Sequence, residues 1–182
     1  MKILFVRHGE ADFGVVDQRG YIGMGRQFAP LSELGKEQAN KVAENSMFSH
    51  SEIIVSSPYT RALQTAAAIA RKTGLEINVE TDLHEFVPDK TYQASDVEEE
   101  NLLAEFIKNR GEHNGSKRWE TISEIVFRTQ TVLDRYVDEG YKKIIVVTHC
   151  RVIQRYTGTP IIGHCEVQEV NYDKSFHCFD WV

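Results

Sequence analysis

Two continuous apolar runs constrain this chain most. Ile3-Leu4-Phe5-Val6 stands near its start, and Ile144-Ile145-Val146-Val147 lies close to its end. A strand with one wet face alternates apolar and polar residues, whereas a run apolar at every position is a strand covered on both faces. Two such strands, at residues 2–6 and 143–148, require a sheet enclosed by two layers. Shorter strand-like runs occur at 52–56 and 76–80.

Helical periodicity fills the intervals. Leu34, Ala39, Val42 and Ala43 share a face behind Ser32, a suitable N-cap. Pro58 suits a first helical position, followed by a stripe of Ala62, Ala66, Ile69 and Ala70. Leu102, Leu103, Phe106 and Ile107 form a third stripe, with acids at 98–100 in front and Gly111 as a stop. Ile122, Ile125, Val126, Val132, Leu133 and Tyr136 define the longest helix, ending near Gly140. A late pair of runs, 166–172 and 175–182, predicts a hairpin about Asp173-Lys174. The alternation predicts an α/β fold: a three-layer α/β/α sandwich with a mostly parallel central sheet and an antiparallel C-terminal edge. With 182 residues, one domain over 1–182 is expected. The least regular segments, 11–30 and 87–96, have the length of binding loops.

A formal net charge of −6 argues against a nucleic-acid partner, though clustered arginines can still hold a small anion. No apolar stretch is long enough to span a bilayer, and the first apolar run is broken too early by Arg7 for a signal peptide. Three cysteines without scaffold spacing suit a reducing compartment, so a cytoplasmic location without membrane association is expected.

The strand ends carry the chemistry. The first run ends in Arg7-His8-Gly9-Glu10 and the last in Thr148-His149. Open α/β sheets bind ligands at the C-terminal ends of their strands. Arg7 offers a fork of donors for an oxyanion, and a neutral His8 beside it is a nucleophile or a base. Ser56-Ser57-Pro58-Tyr59-Thr60-Arg61 puts another guanidinium near a helix N-terminus. Glu85, between apolar neighbours in Leu83-His84-Glu85-Phe86, is a candidate proton donor.

In this order the motifs resemble the histidine phosphatase superfamily, also called phosphoglycerate-mutase-like. The resemblance rests on Arg7-His8-Gly9-Glu10, Pro30-Leu31-Ser32-Glu33-Leu34-Gly35 with Gln38-Ala39, the segment from Ser56 through Arg61 to Ala66, Leu83-His84-Glu85 and Val147-Thr148-His149. It extends to about residue 158.

The resemblance implies a phosphatase that hydrolyses phosphomonoesters through a phosphohistidine on His8, with no metal and no cofactor. Arg7, Arg61 and a protonated His149 surround the phosphoryl oxygens, and Glu85 serves the leaving oxygen. Two departures stand out. Cys150 replaces the usual glycine after His149, and the mutases' Ser-x-Trp-Asn and Trp-Glu-Gly patterns are missing. These absences favour a phosphatase over phosphoglycerate-mutase-type phosphoryl transfer. Arg19, Tyr21 and Arg26 are candidate substrate-binding residues, with Lys117, Arg118 and Trp119 as a second basic group. The partner expected is a small phosphorylated substrate or a phosphoprotein; the oligomeric state is not legible.

Three other readings are open. A cysteine phosphatase would use Cys150 and Arg155, but the spacing is one residue short and the segment between lacks glycine. A metal site would draw on His149-Cys150, His164-Cys165 or His177-Cys178, although adjacent strand residues face opposite ways. A non-catalytic module binding phosphate or a phosphoprotein would retain the pocket without turnover. His50, His84 and His113 are read as surface or loop residues.

Overall fold

The computed structural model describes all 182 residues, except for the side chain of Asp96. Its centre is a five-stranded sheet built from β1 (Lys2–Arg7), β2 (Ile53–Ser56), β3 (Ile77–Val79), β4 (Lys143–Thr148) and β5 (Val167–Asn171). The spatial order is β3-β2-β4-β1-β5. Four strands are parallel, and β5 runs antiparallel along β1. Six α-helices surround the sheet: α1 (Gly14–Asp17), α2 (Glu33–Val42), α3 (Thr60–Thr73), α4 (Asp96–Lys108), α5 (Ile122–Asp138) and α6 (Cys150–Thr157).

The apolar runs explain the layering. Ile3, Phe5, Ile144 and Val146 point to one face, where they meet Phe106, Ile125, Leu133 and Ile153 of α4, α5 and α6. Leu4, Val6, Ile145 and Val147 point to the other, against Val42 of α2 and Ala62, Ala66 and Ile69 of α3. A strand displays alternate residues on opposite faces, so two covered faces demand an apolar residue at each step. All eight strand residues are fully buried, each worth roughly 1.5–3 kcal/mol relative to exposure.

Helix ends follow the expected chemistry. Ser32 Oγ caps α2 by accepting from Gly35 N at 2.9 Å, and Thr121 and Glu124 form a reciprocal capping box at α5. Gly74 and Gly158 stop α3 and α6 in the left-handed conformation.

Three expectations need correction. Residues 175–182 form no strand, so the sheet ends at β5 without a terminal hairpin. Arg155 holds this tail instead: its Nη1 donates to Phe179 O at 3.0 Å, and Phe179 N donates back to Arg155 O at 2.7 Å. Phe176, Cys178 and Trp181 thereby cover the larger core. Helix α3 begins at Thr60, so Pro58 lies in the turn before it rather than at its first position. Leu34 is half exposed on α2, because the face buried there is formed by Gly35, Ala39 and Val42.

Candidate functional site

The register of the sheet brings the two histidine-bearing strand ends together. β1 and β4 pair from Lys2↔Lys143 to Arg7↔Thr148, and His8 N donates to Thr148 O at 3.0 Å. The rings of His8 and His149 then meet edge-on with centroids 5.0 Å apart. β2 pairs with β4 on its other side, and the turn after β2 delivers α3 with Arg61 in its first turn. Arg61 Nε lies 3.2 Å from His8 Nε2.

His8 is held as a particular tautomer. Its Nδ1 is 2.7 Å from Gly9 O, an acceptor only, so the proton sits on Nδ1 and the lone pair on Nε2, facing Arg61. Burial, then the Arg61 cation, push its pKa well below the usual histidine value, so the imidazole is neutral. His149, fully buried, is pushed down in the same way by burial, His8 and Arg61. Without a bound anion the neutral ring is therefore favoured, whereas the protonated His149 expected from the sequence belongs to the anion-bound site. Its Nε2 lies 2.7 Å from Ser57 Oγ, and its Nδ1 has no protein partner.

Two further unpartnered buried nitrogens belong to the same cluster, Arg7 Nε and Arg61 Nη1. Buried donors without partners are uncommon, and here they sit on the side chains the strand ends assemble. Arg7 Nη1 is anchored on Ile162 O at 2.5 Å and Arg61 Nη2 on Gln27 Oε1 at 3.0 Å.

The close spacing around the turn after β1 has a steric basis in this chain. A Cβ on Gly9 would lie 2.6 Å from Gly35 O, and one on Gly35 would lie 2.0 Å from Glu10 O. Only two glycines allow α2 to approach the end of β1 so closely. Glu10, to which the sequence assigned no task, secures this contact: Ser32 Oγ donates to its carboxylate at 2.7 Å, and Gln38 Oε1 accepts from its N–H at 2.9 Å. Thr65 Oγ1 accepts from Gly9 N at 3.1 Å and donates to Arg61 O at 2.8 Å, tying α3 to the same turn.

Glu85 shares a cleft of about 360 Å³ with Arg61. Burial raises its pKa, opposed first by the Phe86 N–H that donates to its carboxylate at 2.9 Å and then by Arg61 and Arg151. Its segment is secured from below. Thr148 Oγ1 donates to Leu83 O at 2.7 Å, and Arg128 donates to Asp82 O at 2.5 Å while pairing with the buried Glu120 at 2.6 Å. Glu120 also accepts from Val87 N at 3.1 Å.

The remaining candidates separate. Arg26 lines the cleft, lying over the Phe13 ring at 5.4 Å and 3.4 Å from Asp17. Arg19 and Tyr21 are exposed and outside the cleft wall, Tyr21 packing on Phe28. Trp119 is fully buried in the core, Lys117 pairs with Glu105 at 3.0 Å, and Arg118 lies 3.6 Å from Asp89, so that group stabilises the α4–α5 connection. His84 is half-buried, with Nδ1 2.7 Å from Glu85 O and its ring stacked on Tyr59. Cys150 packs partly against the core, and its thiol is raised by burial, the reverse of an activated nucleophile. Arg155 serves the tail, so the cysteine-phosphatase pairing is not assembled. Among the described residues, no three His, Cys, Asp or Glu side chains converge as a metal site.

Sequence reading missed Ser57, Gln27, Phe13, Glu120 and Arg128. Only Ser57 lay inside a motif; the others reach the site from loops and from α5.

Residues 3–161 match the family model of the histidine phosphatase superfamily, branch 1. The chain belongs to that superfamily. Among its relatives, glucosyl-3-phosphoglycerate phosphatase of Mycobacterium tuberculosis is 37% identical over 84 residues, 46% of this chain and 36% of that protein. The match thus spans about a third of that relative's length. Probable phosphoglycerate mutase GpmB of Enterobacter sp. is 24% identical over 190 residues, covering 96% of this chain and 86% of that protein. The solved structure of YhfR from Bacillus stearothermophilus shares the fold with a TM-score of 0.74 at 20% identity, covering 100% of this chain and 95% of that one. The family match ends at residue 161, and the likeness in fold extends over the whole chain. No helix among the described residues is long and apolar enough to cross a membrane.

Proposed function

We propose that this protein hydrolyses phosphomonoesters through a phosphohistidine formed on His8. The observation that carries the proposal is the state of His8: neutral, protonated on Nδ1 by its contact with Gly9 O, with the Nε2 lone pair beside Arg61 and within one ring contact of His149. A nucleophilic histidine needs that tautomer.

In this reading Nε2 attacks phosphorus and the ester oxygen leaves. Glu85, whose raised pKa favours its protonated form, gives the leaving oxygen its proton and then accepts one from the attacking water. Arg7 Nε, Arg61 Nη1 and His149 Nδ1 serve the three equatorial oxygens. A bound phosphoryl dianion draws a proton onto His149, restoring the charge that burial removes from the free protein. The two guanidiniums supply the fixed positive charge, so the reaction is metal-independent. The substrate is a small phosphorylated molecule whose leaving group occupies the cleft walled by Phe13, Arg26, Gln27, Phe86 and Leu103.

The test is trapping. Wild-type protein quenched during turnover of a radiolabelled phosphomonoester should carry an acid-labile, base-stable phosphoryl group. His8→Ala should carry none and lose on the order of 10³-fold or more in kcat/KM. A His8→Ala protein that still turned over at a comparable rate would end the proposal. The near full-length match to a probable mutase favours one second reading, phosphoryl transfer to another hydroxyl. Release of inorganic phosphate, against transfer to an added phosphoglycerate acceptor, separates the two.

A further inference from the structure

His164 is a histidine that the strand-end motifs do not include. It stands in the turn Gly163-His164-Cys165 ahead of β5, and that turn is bound to the end of β1. Cys165 N donates to Arg7 O at 3.0 Å, and Arg7 Nη1 donates to the neighbouring Ile162 O at 2.5 Å. The His164 ring lies with its centroid 5.8 Å from that of His8, tilted by 43°. His8 therefore has two imidazole neighbours, of which His149 is fully buried and His164 is not.

We propose that His164 is a third imidazole of the phosphoryl pocket, taking up a proton when a tetrahedral oxyanion binds and adding a positive charge beside Arg7. This rests on the reading of the strand ends as a phosphoryl site. The groups around His164 allow the switch. The charges that act on it most are Arg7 of β1 and Glu10 of the turn after β1. Gln38 and Lys41 of α2, with Glu44 just beyond it, share with His164 an open cavity of about 600 Å³, to which Cys165 and Glu166 also contribute. Burial and the Arg7 cation lower its proton affinity, and Glu10 raises it. A dianion placed against Arg7 offsets that cation and adds attraction of its own, so the ring protonates. His8 and His149, more deeply buried, start from lower proton affinities than His164, so His164 gains its proton first as the pH falls. The neighbouring Cys165 thiol, pushed up to about 12 by burial, stays neutral.

Sulfate is a suitable probe, because its charge is constant across the range in which histidine titrates. Its affinity is measured by calorimetry for wild-type, His164→Asn and His164→Lys protein at about pH 5.5 and about pH 8. Wild-type affinity should rise towards acid pH, by up to roughly tenfold per unit below the His164 pKa of the complex. His164→Asn should bind more weakly at the acid pH and with a smaller pH dependence than wild type, what remains belonging to His149, and His164→Lys should be tight at both pH values. A wild-type affinity independent of pH, no sulfate binding at either pH, or an unchanged pH dependence in His164→Asn overturns the proposal. Calorimetry needs no turnover. A protein that hydrolyses nothing yet follows this pattern loses the phosphatase reading and retains His164. Hydrolysis through phospho-His8 with pH-independent sulfate binding does the reverse.

Discussion

At the strand ends, Arg7, His8 and His149 are fixed by the register of β1 on β4, where one hydrogen-bonded step places His8 beside Thr148. Across the cleft, Phe13, Arg26 and Gln27 arrive on the irregular segment between β1 and α2, and Glu85 on the one after β3. The first side is mostly buried and carries two unpartnered nitrogens, Arg7 Nε and His149 Nδ1; the second is half exposed and its cation lies close to Asp17. The division suits a phosphotransfer enzyme. In the proposed reaction the phosphoryl group, common to all substrates, meets rigid backbone, whereas the leaving group, which varies, meets loops that tolerate change.

The comparison breaks most sharply at Arg61, which touches both sides through His8 and Gln27. Arg61→Ala should lower kcat/KM by about 10³-fold, in the range for losing a preorganised charge donor. A loss under tenfold would mean that Arg7 and His149 suffice to stabilise the phosphoryl group.

Arg128 tests whether the loop side is held by the helix layer. Arg128→Met strands the buried Glu120 and should destabilise the fold by about 3 kcal/mol, read by denaturant melts. It should also lower the rate, because the Glu85 segment loses its anchor. A stable variant with full activity would show that the loop needs no such support.

Glu85→Gln separates the sides chemically. Poor leaving groups should lose about 10²-fold, while activated aryl phosphates lose only a few-fold, because protonation matters only for the former. The pH profile carries the same information. A raised carboxyl pKa keeps the acid form available to higher pH, so activity on poor leaving groups should fall as pH rises through that pKa. Glu85→Gln should lack that limb. Equal losses on both substrate classes would remove Glu85 from the acid role.

The smallest effects are expected outside the cleft wall. Arg19→Ala and Tyr21→Ala should change kcat/KM by less than about threefold, as exposed substitutions usually do. Arg26→Ala should cost more than either. A larger effect at Arg19 or Tyr21 would mean that the loop rearranges when substrate binds.

Legibility in the sequence followed the same division. His8 and His149 could be read because each ends an apolar strand, and Arg61 because a turn and a helix start place it. Arg128 could not be read: it lies 43 residues from Glu85 in sequence and reaches Glu85 O only through the packing of α5. Lys117 and Arg118 looked like substrate ligands because a basic cluster signals an anion, yet their charges meet Glu105 and Asp89. The terminal hairpin was expected from local pattern alone; Arg155, read first as a possible phosphate ligand, claimed that tail for the helix layer.

The chain's own pattern determined the layered fold and the strand ends where charge and imidazole gather, because periodicity and hydrophobic burial act over a few residues. Tertiary structure decided the rest. It alone set the neutral state of His149, the task of Glu10 in seating α2, and the nearness of His164 to His8. Proton affinity depends on burial and on charges from distant segments, and neither has a signature in local sequence.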